Sequence, residues 1–179
     1  MLCCASLNLP AAEYSLEQVK AAYLLKFLYF IDWPDQAAAE SNQLVLCIIN
    51  DEAIYAPLSG TDGRVINNQV TATRNITFDS SAFDGTDAQA RSLDTLATCR
   101  VIFFGNIAPS LTKDLLSELG GAAKLTVSES DEFLANGGMI NFRQAGSSLL
   151  FDISIAPFDR ANMGIRSRLL NIADSVIHE

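Results

Sequence analysis

Two runs, "LVLCIIN" at 44–50 and "CRVIFFGN" at 99–106, constrain this chain more than any other feature. A strand with one face in water alternates apolar and polar residues, and these runs do not alternate. Unbroken apolar runs of this length suit strands covered on both faces, as in a parallel sheet flanked by helices. "KLTVSES" at 124–130 reads as a third such strand, and "QVTATRNIT" at 69–77 alternates well enough to be a fourth. Between them lie helical patterns. Ser15 to Gln18 forms a capping box, followed by a stripe of Leu16, Val19, Tyr23, Phe27 and Phe30 or Ile31, widened by Leu24 and Leu28, that Pro34 is expected to end. "PSLTKDLLSELGG" at 109–121 is an amphipathic helix with a glycine stop.

The rest is read in the same way. Residues 51–58 suit a short helix or a loop, and 78–95 a long polar loop with one helical turn. "DEFLANGG" at 131–138 reads as a helical turn. "MINFR" and "SLLFDISI" flank Gln144–Ser147 as a β-hairpin. "IRSRLLNIADSVI" is expected to be a last helix with Ile165, Leu169, Ile172, Ala173 and Val176 inward. The predicted fold is a layered α/β/α sandwich with a mainly parallel sheet and an antiparallel hairpin at one edge. Residues 15–179 are expected to form a single domain. Residues 1–14, uncharged at their start and rich in small side chains, read as a signal-peptide remnant or a disordered terminus, with a lipidated cysteine as a further reading.

Composition narrows the function. A net charge of −9, with the basic residues scattered, disfavours nucleic-acid binding. The nearest basic cluster, Arg160, Arg166 and Arg168, suits a solvated helix face. No run reaches the ~20 apolar residues needed to span a bilayer, so no direct membrane span is expected. The sole histidine, His178, lies beside the C-terminus and is a poor anchor for acid–base chemistry. No zinc spacing, phosphate loop or dinucleotide fingerprint is present, and no metal, cofactor or catalytic residue is expected. A phosphoacceptor reading finds Asp51 and Glu52 after the first strand, but Asn106 where the acceptor carboxylate would stand. Cys47 and Cys99, on neighbouring predicted strands, are either buried free thiols or a disulfide.

Several motifs converge on a known family. Lys20 to Tyr23 with Phe27, Phe30 and Trp33–Pro34, the two cysteine-bearing strands, "LTVSE" followed by "FLANGGMINF", "LLFDISI" and "ANMGIRSRLLNIA" occur in an order that resembles the YfiR family across about residues 16–177. The resemblance implies an exported, non-enzymatic, dimeric protein of the periplasm. Such proteins repress an inner-membrane diguanylate cyclase by binding its periplasmic sensor region. A small-molecule sensor acting on a histidine kinase or another membrane receptor is the alternative. The resemblance makes Cys47 and Cys99 a disulfide pair and gives Trp33, Pro34, Gly137, Gly138, Met139 and Ile140 structural roles. The family's second disulfide has no counterpart, since no cysteine follows Cys99. Exposed partner-contact candidates are Glu129, Asp131, Asn141 and Arg143.

Overall fold

A computed structural model describes residues 14–34, 43–78 and 93–178. The proposed signal remnant up to residue 13 and most of the predicted polar loop, 79–92, lie outside the described residues.

The three continuous apolar runs are strands of one sheet: β2 (Gln43–Ile49), β5 (Val101–Phe104) and β6 (Leu125–Ser128). With β3 (Val65–Ile66), β4 (Gln69–Ile76), β7 (Ile140–Ala145), β8 (Ser148–Ser154) and β10 (Ser175–Ile177), the order is β10-β8-β7-β6-β5-β2-β4-β3. The pairs from β4 through β2, β5 and β6 to β7 are parallel. The β7–β8 hairpin is antiparallel, as expected, and so is β3–β4 at the far edge. A second, two-stranded sheet pairs β1 (Ile31–Asp32) with β9 (Gly164–Ile165).

Both faces of the sheet are covered, which is why the runs have no polar face. Leu44, Leu46 and Ile48 point into one core layer with Val101, Phe103 and Val127. There they meet Leu24, Phe27 and Leu28 of α1 (Leu16–Phe27) and Ile54 and Leu58 of α2 (Glu52–Ser59). Val45, Cys47, Ile49, Ile102 and Phe104 face the other layer, against Leu96 from a helical turn at 93–97, Leu111 and Leu115 of α3 (Pro109–Leu119), and Phe133. The rings of Phe27, Phe142 and Phe151 clamp α1 to the hairpin, with centroids 5.2 Å (Phe27–Phe151) and 5.8 Å (Phe27–Phe142) apart. Such pairs add about 0.5–1.5 kcal/mol beyond area burial.

Ser15 and Gln18 form the capping box at the start of α1. The helix, however, ends at Phe27 instead of running to Pro34. Tyr29 and Phe30 N–H groups tighten the last turn onto the Lys26 and Phe27 carbonyls, and Ile31–Asp32 then extends to pair with β9. Pro34 fits this geometry, since it disfavours a helical conformation at the residue just before it, Trp33.

The expected C-terminal helix is also corrected. Residues 155–177 form α4 (Ile155–Arg160), β9, the one-turn helix α5 (Ser167–Leu170) and β10. Leu169 is buried, but Ile172 is 55% exposed. The competing force is the edge of β8, whose backbone groups need partners. The Asp174 N–H donates to the Phe151 carbonyl, and β10 then pairs parallel with β8.

Among the described residues, no helix is long and apolar enough to cross a membrane.

Candidate functional site

Cys47 lies in the middle of β2 and Cys99 two residues ahead of β5, both buried on the same side of the sheet. They form a disulfide with Cα atoms 5.9 Å apart, closing a loop with a sequence separation of 52 residues. The segment carrying Cys99 is also held by Lys124, whose ammonium donates to the Ala97 (2.6 Å) and Cys99 (2.8 Å) carbonyls. Burial, and secondarily the nearby Arg100 guanidinium, lowers the Lys124 pKa to about 8.

Trp33 is buried in the α1-side core, and the Arg100 guanidinium carbon lies 5.7 Å from its ring centroid. Its indole Nε1 is buried without a partner among the described residues. Pro34, the next residue, is exposed.

The Gly137–Gly138–Met139–Ile140 turn rests on four different requirements. Gly137 has φ +95°, a conformation that L side chains rarely adopt. A Cβ at Gly138 would overlap the Phe133 ring. The Met139 N–H donates to Thr126 Oγ1 at 3.1 Å, and its carbonyl accepts from Ser154 N–H at 2.9 Å. Ile140 is fully buried in the core. The turn therefore locks the end of β6 to the start of β7 and to β8.

The four partner-contact candidates do not form one exposed patch. Glu129 pairs with the buried ammonium of Lys20, and Glu129 and Asp131 line a depression of about 450 Å³ together with Glu132. Asn141 is not exposed: it is 7% accessible, and its Oδ1 is buried without a partner among the described residues. The reason is register. Asn141 sits in a row with Ser128 on β6 and Asp152 on β8, where neighbouring strands cover it on both sides. Arg143, two residues along β7, is half exposed, and its guanidinium bonds Asp152 (2.9 Å from Nε) and Asp174. The bond to Asp152, more than the other contacts, raises the Arg143 pKa above its usual value.

The acids considered for phosphoacceptor chemistry have structural duties. Asp51 Oδ1 caps α2 by accepting the Ile54 N–H at 2.9 Å, and Glu52 accepts from Asn75. Helix α2 covers one face of the sheet and α3 the other, so the chain reverses winding between β2 and β5. At the carboxyl ends of β2, β4 and β5 lies a crevice of about 630 Å³ bordered by Asn50, Phe78, Asn106 and Pro109. Open α/β sheets place ligands at such a position. Here Asn50 spends its amide on the Phe78 backbone, with bonds of 2.8 Å and 2.9 Å.

A family model described as YfiR/HmsC-like matches residues 17–174. No curated protein matches the chain. The matched span runs from the first turn of α1 to the residue before β10 and takes in the disulfide, Trp33–Pro34 and the Gly-Gly-Met-Ile turn, and the chain belongs to the YfiR/HmsC-like family.

Proposed function

We propose that this protein is a non-enzymatic periplasmic regulator that binds the periplasmic sensor region of an inner-membrane diguanylate cyclase and represses it, lowering cyclic di-GMP signalling. The observation that carries this reading is the family match over residues 17–174. The Cys47–Cys99 disulfide supports the compartment, because such bonds persist in oxidising environments such as the periplasm. In this reading residues 1–14 belong to the export signal, residues 15–179 act as one domain, and the mature protein is a homodimer. Trp33, Pro34, Gly137, Gly138, Met139 and Ile140 hold the scaffold. Glu129, Asp131 and Arg143 are the side chains offered to the partner.

The test is direct. The genes on either side are searched for a membrane cyclase or kinase, and the purified chain is titrated against the periplasmic domain of any cyclase found, with and without reductant. Saturable binding with Kd on the order of 1 μM or tighter is expected in oxidising buffer. Reversing the charge at Asp131, which makes no ion pair among the described residues, weakens binding at least about tenfold. Absence of binding to that domain at about 100 μM, well beyond regulatory affinities, sinks the cyclase reading. Binding to a neighbouring kinase's sensor domain instead moves the regulator to that receptor.

A further inference from the structure

We propose that the cleft bounded by the C-terminal half of α3, the glycine turn after it and the 136–139 turn binds a small organic oxyanion, carried as a carboxylate or a phosphate ester. The cleft holds about 670 Å³, within the usual range for small-ligand sites. Charge is the first argument. The chain has 12 basic against 21 acidic residues, yet Lys113, Lys124 and Arg160 all border this cleft and, among the described residues, no carboxylate does. The ion pairs among the described residues use other cations, namely Lys20, Arg143 and Arg166. Lys113 and Arg160 make neither an ion pair nor a side-chain hydrogen bond there.

The second argument is that an ordered ammonium and a buried hydroxyl stand in the wall of the cleft. An ammonium has three N–H donors, and Lys124 commits two of them, to the Ala97 and Cys99 carbonyls. Its side chain is thus ordered before any ligand arrives, which removes part of the entropic cost of binding. Thr126 is only 4% exposed and lines the same cleft. Its oxygen accepts the Met139 N–H, so its own proton points elsewhere, and no described residue accepts it. A buried hydroxyl donor left unpaired is costly, and a ligand oxygen would relieve it. Arg160 reaches the mouth across Gly137, its Nη2 lying 3.5 Å from where a Cβ would stand on that glycine.

The third argument is the remaining wall. Leu116, Met139 and Pro157 supply apolar surface, which suits an organic body better than a bare inorganic ion. The site is independent of the cyclase reading, because it rests on none of the residues offered to that partner.

Calorimetric titration of the full chain at low salt, with citrate and with phenyl phosphate as probes and glucose as a neutral control, tests the assignment. At least one anionic probe is expected to bind with Kd at or below about 1 mM, and glucose is not. Arg160→Gln and Lys113→Gln, both at exposed positions, should each raise that Kd about tenfold, the effect of losing one charged hydrogen bond. Arg168→Gln, an exposed cation outside the cleft, should leave it within about twofold, since screened distant charges contribute little. Citrate binding alone assigns a carboxylate, and phenyl phosphate binding alone assigns a phosphate ester. The proposal is overturned if neither anion binds at about 10 mM, a concentration far above the expected Kd. It is equally overturned if Arg168→Gln weakens binding as much as Arg160→Gln.

Discussion

At the scale of single residues, backbone approach and burial set the sharpest constraints. Gly105 follows β5 where β2 ends, and a Cβ there would overlap the Ile49 carbonyl oxygen and stand 2.7 Å from Asp51 Cβ. Backbone cannot step aside as a side chain can. Gly105→Ala is therefore expected to destabilise the fold by roughly 2–3 kcal/mol in a urea titration, with a midpoint unchanged from wild type refuting the close approach. Lys124 gives a pH signature. Its folded pKa, about 8, lies below its ordinary value of 10.5 because burial disfavours the charged form. Between those two values the unfolded chain holds a proton that the folded chain has released, so stability rises with pH across that window. The penalty is fully present below about pH 8. Denaturation midpoints collected through the window should show this rise, and Lys124→Met, which keeps the stem without the ammonium, should flatten it.

Elements show where local pattern and tertiary demand agree or conflict. The core strands were legible because an unbroken apolar run has one comfortable setting, between two layers of helices. Helix α3 was legible for the same kind of reason: Leu111 and Leu115 face the core, and Gly120 closes the helix in the left-handed conformation. The last segment was not. "IRSRLLNIADSVI" has a helical period, but the β-branched Val176 and Ile177 also suit a strand, and the unpaired edge of β8 selects it. A chain ending at Asp174 should lose β10 and expose that edge. Hydrogen exchange of β8 amides is expected to quicken at least about tenfold, while amides in β2 and β5 keep their protection. Equal exchange in the two chains would show that β10 contributes nothing to the edge. The Lys20–Glu129 pair was missed for a related reason. Lys20 sits on a helix face that reads as apolar, and only the approach of the β6 terminus explains a buried ammonium there.

For the whole molecule, the disulfide is the covalent link with the longest reach. It ties the middle of β2 to the start of β5 and, through Lys124, to the start of β6. The chain-entropy model gives roughly 4 kcal/mol for a loop of this size, often less in practice. Cys47→Ala should accordingly lower stability by about 2–4 kcal/mol in oxidising buffer, and the gap should shrink to under about 1 kcal/mol once reductant opens the wild-type bond. Equal melting temperatures in oxidising buffer would show that the bond does not stabilise the protein. Loss of cyclase binding under reductant, in the experiment described above, would place this bond in the regulatory mechanism as well as in the fold.

The sequence by itself determined the layered architecture, the buried strands, the capped first helix and the family, because each is written in local period, composition or ordered motifs. Tertiary structure alone decided the rest. It turned the end of the C-terminal segment into a strand, buried Asn141 in a cross-strand row, and committed Arg143 to two aspartates. It also brought Lys113, Lys124, Thr126 and Arg160 to one cleft from separate elements. The physical reason is common to all four. Edge pairing, burial and charge clustering depend on which elements become neighbours in space, and no periodicity along the chain encodes that.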